Sequence, residues 1–392
     1  MALIASLLAA DSSSESFAIN TFIMNGGLKS VIVSSSTHEI KKTGGQRAVS
    51  SRIRFQTFES ESTFLHPRKG FKPATERFEV RVDPLTGRTG HFSHFGAIKA
   101  QKLNLEAYAT PEIKGFCPFC LENRDRVTPK FTEEIAPEGR LVLNEACLIP
   151  NLFPYDIHSG VLVMTDPHVV PLQQLSATRL FDSLALGVRF LKKVKAISPD
   201  LPYHIMTWNY MPPSGGGLVH PHQQYFATPN PGNQFMDEFR ASEEFCNANG
   251  SDYWSELIEI ERTTGNRFIG QIGESYWLSS FVSLGILGEV MGIFPDVFAV
   301  DQFTDGRVGD LVTGLLKVFE YYLATDIYSF NASLFFGPEG QQSFACHFRI
   351  TPRTFLNMRD FAPDLNFFQA LLGEPVSVVI PEELCTALKK YF

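Results

Sequence analysis

The order strand, helix, strand, turn, strand occurs twice along this chain of 392 residues, and that repetition limits the folds open to it. The first copy holds a short apolar strand over 161–164 and a helix whose Leu180, Leu184, Val188 and Leu191 recur at helical spacing, with Ser176 placed to cap its start. A strand over 203–208, a Pro/Gly-rich turn over 211–217 and a strand over 220–226 complete it. The second copy passes through strand-like residues over 281–294 and a helix marked by Val308, Leu311, Leu315, Phe319 and Tyr322. A strand over 328–336, a turn over 337–340 and a strand over 344–350 follow. A chain of this length exceeds one ordinary core, so two fused half-domains are expected. The expected fold is α+β, with mainly antiparallel sheets and a helix packed on each. The expected division is an unassigned segment 1–77, a first half 78–240 and a second half 241–392.

Apolar residues at 44% against 19% charged describe a chain that buries an interior. The 34 Lys and Arg against 42 Asp and Glu leave a net charge of −8, which argues against nucleic-acid binding through a basic surface. A small anionic ligand can still be held by local groups. No apolar run reaches the roughly 18 residues of a membrane helix. The apolar start, 1–10, lacks a basic region ahead of it, against a secretory signal. The basic, Ser-rich stretch 29–54 leaves an organelle transit peptide open. Of six cysteines, only Cys117 and Cys120 form a close pair, which suits a reducing compartment with one metal site better than a disulfide framework. The expected location is the cytoplasm.

The chemistry gathers in the first copy. Side chains two apart on a strand share a face, so His220, His222 and Gln224 of the run His220-Pro221-His222-Gln223-Gln224 are expected to converge. The bland alternative is a pair of surface histidines on a Pro-broken strand. Just before them stand Gly215, Gly216 and Gly217, whose backbone amides can cradle phosphate oxygens or merely form a flexible turn. Cys117-Pro118-Phe119-Cys120 is a zinc half-site, a redox pair or chance, and no second Cys pair exists to complete a ribbon. His168, after Asp166-Pro167, and His220 complete a tetrahedral set with the two cysteines, and His158, His204, His91 and His94 compete with them. The zinc so held is expected to be structural.

Together, Asp83-Pro84-Leu85-Thr86-Gly87, Cys117-Pro118-Phe119-Cys120, Asn151-Leu152-Phe153-Pro154, Asp166-Pro167-His168, Asn209 and the His-Pro-His-Gln-Gln run resemble the galactose-1-phosphate uridylyltransferase family, the transferase branch of the histidine-triad superfamily. The resemblance covers about residues 82–238. It implies that Cys117, Cys120, His168 and His220 hold structural zinc, that His222 is the nucleotidylated residue, and that Gln224 holds the transferred phosphoryl oxygens. Asn151 and Asn209 are implied as nucleotide and phosphate contacts, and a homodimer as the assembly. Members with a second, iron-binding site carry His-x-His where this chain has Ala345-Cys346-His347, so no iron is expected there, although Glu238 sits where a further ligand would.

The expected reaction moves a nucleoside monophosphate from a nucleotide sugar to a phosphate-bearing acceptor, a sugar 1-phosphate or inorganic phosphate, in a ping-pong cycle through His222. The hydrolase branch carries a third histidine where Gln224 stands. An amide cannot shuttle a proton, which favours an anionic acceptor over water. Two other functions remain open on the sequence: a dinucleotide polyphosphate phosphorylase or hydrolase, and a zinc-stabilised nucleotide-binding protein without catalysis.

Overall fold

Alternation of large apolar and small polar residues decides the larger sheet. In the segment Phe330–Phe336, the side chains of Phe330, Ala332, Leu334 and Phe336 are buried while Asn331 and Ser333 on the other face are not. The computed structural model describes residues 33–35, 52–93, 104–356 and 362–392. The apolar start and most of the basic, Ser-rich stretch lie outside the described residues, as does His94.

Two sheets form. The smaller contains β1 (Val33–Ser35), β2 (Gln56–His66), β3 (Lys72–Val82), β4 (Thr89–Phe92) and, far along the chain, β15 (Val376–Ser377), in the order β1-β2-β3-β4-β15. Only the β4–β15 pair is parallel. The larger contains β5 (Leu141–Leu143), β6 (Ala146–Pro150), β7 (His158–Val163), β8 (Tyr203–Tyr210), β9 (His222–Thr228), β10 (Phe268–Ile272), β11 (Ser275–Ser279), β12 (Val290–Phe294), β13 (Phe330–Phe336) and β14 (Cys346–Pro352). Its order is β10-β11-β12-β14-β13-β8-β9-β7-β6-β5, antiparallel throughout. Each set of five follows one plan: a hairpin, a third strand, a long helix, then two strands of which the last inserts beside the third. The two sets meet at the β8–β13 pair, where Tyr210 faces Phe330 and His204 faces Phe336. The α+β fold of two antiparallel halves expected from the repeated order is therefore present.

The described residues also form α1 (Pro111–Phe116), α2 (Leu121–Val127), α3 (Ala177–Ile197), α4 (Asn233–Asn249), α5 (Tyr253–Thr264), α6 (Asp305–Ala324) and α7 (Pro381–Leu388). Helices α3 and α6 lie side by side on one face of the large sheet. Leu180, Leu184 and Leu191 join Val308, Leu311, Leu315, Trp208, Tyr225 and Phe330 in one core that crosses the seam. Ser176 caps α3 by accepting from the Arg179 amide at 3.3 Å, and Thr304 caps α6 by accepting from the Arg307 amide at 3.4 Å. Each helix comes close to an aromatic ring at a glycine. A Cβ on Gly187 would lie 1.9 Å from Tyr225, and one on Gly314 would lie 2.0 Å from Trp277.

The opposite face is treated unequally, and that inequality creates the site. Over the second half, α4 and α5 bring Phe235, Phe239, Trp254, Leu257 and Ile258 against Leu278, Met291 and Ile293. Over the first half, the Cys117–Cys120 segment buries Cys147, Ile149, Val161 and Val163, but His222, Gln224 and Phe226 of β9 stay partly exposed while Gln223, Tyr225 and Ala227 are buried against α3.

Several boundaries differ from the sequence expectation. The strand expected over 220–226 begins at His222, and His220 lies in the bend before it. Of 281–294 only Val290–Phe294 is strand, and the hairpin β10–β11 stands ahead of it. The strand at 78–82 is the end of the eleven-residue β3, whose partner β2 carries mostly exposed residues and so shows no apolar alternation.

Candidate active site and metal centre

The Cys-Pro-Phe-Cys segment is held as a tight knuckle between two short helices. Thr110 caps α1 by accepting from the Ile113 amide, and Pro111 opens it. The Asn123 side chain in α2 donates back to the carbonyls of Gly115 at 2.9 Å and Cys117 at 3.0 Å. Arg124 Nε donates to the Phe119 carbonyl at 3.0 Å. These bonds leave both cysteine sulfurs facing inward.

Opposite them stand His168 and His220. Cys120 Sγ lies 3.3 Å from His168 Nδ1 and 3.7 Å from His220 Nδ1, and Cys117 Sγ lies 3.6 Å from His220 Nδ1. All four donor atoms fall within 4.8 Å of one another in a buried group. A tetrahedral zinc with ordinary Zn–S and Zn–N bonds places S and N about 3.6 Å apart, so the donor set fits that ion. The far ring nitrogens are committed as well: His220 Nε2 donates to the Thr165 carbonyl at 2.7 Å and His168 Nε2 to the Tyr108 carbonyl at 3.1 Å. Such bonds leave Nδ1 unprotonated, as a metal ligand requires. Burial pushes His220 down to about 4 and keeps its ring neutral. Burial, with the neighbouring Cys117, pushes the Cys120 thiol up to about 12, so two thiolates here call for a cation. The competing histidines are elsewhere: His158 pairs with Ser198, His91 with Glu374, and His204 is buried on the helix side of β8.

His222 stands two residues beyond His220 and is anchored to it. Its Nδ1 donates to the His220 carbonyl at 2.8 Å, which fixes the tautomer and leaves the Nε2 lone pair free. Phe119 of the knuckle packs against its ring, 5.1 Å between centroids. Burial pushes the His222 imidazole down, partly offset by the bond to the His220 carbonyl, and so favours the neutral, nucleophilic form.

Cross-strand register places the remaining residues. His222 faces Val163 of β7, and Gln224 lies between Val161 of β7 and Thr207 of β8, all on one face of the sheet. Asn209, two residues beyond Thr207, is exposed on that face, and Asn331 of β13 lies directly opposite it. Asn151 follows β6, and its Oδ1 accepts from the Phe153 amide at 3.0 Å. It lies four residues along the strands from His222, roughly 13 Å at the usual rise, so it is not gathered with the other polar groups. Gly215, at φ 84°, donates its amide to the Pro212 carbonyl at 3.0 Å and serves the turn itself. The amides of Gly216 and Gly217 make no hydrogen bond among the described residues.

The second half carries a counterpart that is closed. His347 of β14 faces Ile293 of β12 as His222 faces Val163, and its Nδ1 meets the Ala345 carbonyl at 3.0 Å, two residues back as in the first half. There Trp254 stacks on the ring at 4.3 Å and leaves it fully buried. Arg349 takes the position of Gln224. Its guanidinium pairs with Glu238 and Glu289, each at 2.7 Å, while Glu238 also meets His347 Nε2 at 3.2 Å. Glu238 and His347, the two positions with metal-ligand chemistry, thus bond to each other, and Glu238 also to Arg349.

Fold and site together give a protein of two antiparallel halves with a partly exposed histidine, His222, beside a buried Cys2His2 group. No protein-family model matches the chain. An Archaeoglobus fulgidus protein described as uncharacterized is 29% identical over 314 residues, covering 80% of this chain and 92% of its own. An ADP-glucose phosphorylase from Arabidopsis thaliana, solved with bound ADP-glucose, superposes with a TM-score of 0.59 at 17% identity, over 80% of this chain and 99% of that one. A solved uridylyltransferase superposes with a TM-score of 0.56 at 20% identity, over 80% and 97%. The fold is thus the one the resemblance to the galactose-1-phosphate uridylyltransferase family implies. Among the described residues, no helix is long and apolar enough to cross a membrane.

Sequence reasoning missed Phe119 as a wall of the site and Asn331 as a polar group from the second half. Asn331 stood in a readable alternation, Phe330-Asn331-Ala332-Ser333-Leu334, but nothing in the sequence says which strand it would face.

Proposed function

We propose that the protein is a nucleotidyltransferase that moves a nucleoside monophosphate from a nucleotide sugar to a sugar 1-phosphate or inorganic phosphate. The observation that carries this reading is the tethered His222, with Nδ1–H spent on the His220 carbonyl and Nε2 free on the accessible face beside Gln224. The Nε2 lone pair attacks the α-phosphorus, an N–P bond forms, and the P–O bond to the departing sugar 1-phosphate breaks. No proton needs to move, because Nε2 carries none. The positive charge that develops on the ring is met through Nδ1–H by the His220 carbonyl. An acceptor phosphate oxygen then attacks phosphorus, the P–N bond breaks, and Nε2 recovers its lone pair. Gln224, Asn209 and the free amides of Gly216 and Gly217 are the donors for the phosphoryl oxygens, each worth about 3 kcal/mol when aimed at developing charge.

Asn151, farther along the sheet, is assigned to the nucleoside end. Cys117, Cys120, His168 and His220 would hold structural zinc, which when bound fixes the backbone that supplies the His220 carbonyl. Nucleotide sugars are the proposed substrate class, in keeping with the ADP-glucose in the Arabidopsis structure. We take residues 78–240 as the catalytic half and 241–392 as its structural companion, working as a cytoplasmic homodimer. Exposed Leu152, Phe153, Tyr155 and Ile157 offer an apolar surface for that dimer. The test is isotope exchange: labelled glucose 1-phosphate should enter ADP-glucose or UDP-glucose with no second acceptor present, the signature of a ping-pong cycle. Tight nucleotide binding with no exchange, for any nucleotide sugar in a panel, would leave a binding protein in its place.

A further inference from the structure

Two carboxamides face each other across the seam between the halves, and a third group decides which is donor and which acceptor. A guanidinium has five N–H donors and no acceptor, so an amide that meets it presents oxygen. Arg353 Nη1 donates to Asn331 Oδ1. The Asn331 amino group is thereby turned toward β8, where it donates to Asn209 Oδ1 at 2.6 Å and to the Ser214 carbonyl at 2.9 Å. Arg353 is itself fixed by Asp364, a buried carboxylate that accepts from Nη2 at 2.6 Å and from Nε at 2.8 Å and also takes the Thr354 amide at 3.1 Å. With its oxygen turned toward Asn331, Asn209 presents its two N–H groups to the accessible face.

We infer that Asp364, Arg353 and Asn331, all from the second half, are positioning residues that set Asn209 as a double N–H donor to a phosphate oxygen of a nucleotide bound at His222, and that tether the Gly216-Gly217 turn through Ser214. The inference rests on the proposed function for its ligand, but the polarity of the amide pair does not. The second half thus completes the site of the first without touching the reacting atoms.

Two isosteric replacements of oxygen for NH2 separate the alternatives. In Asn209→Asp the new carboxylate still accepts from Asn331, so thermal stability should stay within about 2 °C of the parent. In Asn331→Asp an oxygen is set against the Ser214 carbonyl, and the melting temperature should fall by about 5 °C or more. Equal losses in the two variants, or the larger loss in Asn209→Asp, would overturn the assigned polarity whether or not any nucleotide binds. With AMP and UMP as probes of the full chain in calorimetry, Asn331→Asp should weaken binding by about tenfold or more. In an Asn209→Ala background the same change should have a clearly smaller effect, leaving only the part that acts through Ser214 and the Gly216-Gly217 turn. Parent-like nucleotide affinity in Asn331→Asp would sink the positioning role. If the parent chain binds neither nucleotide, the nucleotide reading fails, and the melting contrast still decides the polarity.

Discussion

Gly187 in the middle of α3 is the position where one methyl group should do most harm to the sheet that carries His222. A Cβ there would lie 1.9 Å from Tyr225 Cζ, 2.1 Å from Cε1 and 2.4 Å from the hydroxyl oxygen. Ordinary carbon contacts need about 3.5 Å or more, so the ring must retreat by about 1.5 Å. Tyr225 is fully buried, its hydroxyl is bonded to Gln223 Oε1 at 2.8 Å, and it stands next to Gln224 on β9. Overpacking of this extent costs about 3 kcal/mol, partly offset by the roughly 1 kcal/mol that alanine gains over glycine inside a helix. Gly187→Ala should therefore lose about 2 kcal/mol. Gly309 in α6 is the control, because a Cβ there meets nothing within 4 Å, and Gly309→Ala should gain up to about 1 kcal/mol. Gly314→Ala, with Trp277 at 2.0 Å, should behave like Gly187→Ala. In urea unfolding followed by fluorescence, with a slope of about 3 kcal/mol/M, the Gly187 and Gly309 variants should differ by about 1 M in midpoint. A Gly187→Ala midpoint at or above that of the parent would refute the close packing of α3 on Tyr225.

Other perturbations address the metal, the second half and the acceptor. The purified protein should carry about one zinc per chain by elemental analysis; Cys120→Ser should lose it, and acid should release it as protons compete for the thiolates. Burial pushes the Glu238 carboxyl up, but Arg349 and His347 outweigh it and hold it at about 2. Its contribution to stability is complete above the unfolded value, about 4.3, and is lost as pH falls toward 2. Glu238→Gln should abolish that part of the acid sensitivity and cost about 3 kcal/mol at neutral pH by leaving Arg349 short of a partner, which unfolding at several pH values would show. Gln224→His restores an imidazole able to pass a proton to or from water, so release of free nucleoside monophosphate from a nucleotide sugar should rise relative to transfer.

The sequence carried the long helices and the knuckle of the site well, for identifiable reasons. Leu180, Leu184, Val188 and Leu191 repeat at the period of a helix half-sunk in a core, and Ser176 marks its start by the bond it makes. The same holds for Val308 through Tyr322 in α6. Cys117, Cys120, His168 and His220 were recoverable because few residue types make soft donors, and the structure gathers all four. The β2–β3 hairpin was not legible, since its exposed residues are mostly polar on both faces and its exposed Phe64 and Leu65 are adjacent rather than alternating. Helices α4 and α5 escaped notice, and with them the cover that closes the second half over His347. Cross-seam neighbours such as Asn209 and Asn331 depend on which strand pairs with which, and that register is fixed by the packing of α3 against α6 rather than by any local signal.

A covalent intermediate on one named nitrogen is what most separates this protein from a nucleotide binder. The decisive measurement is incubation of the full chain with ADP-glucose or UDP-glucose labelled at the α-phosphate, followed by denaturation and peptide mapping. Label should be acid-labile, stable to alkali, located on His222, approach about one per chain, and be discharged by sugar 1-phosphate or inorganic phosphate. Label that persists in His222→Ala, sits on His347, or never forms with any nucleotide sugar that the protein binds would contradict it.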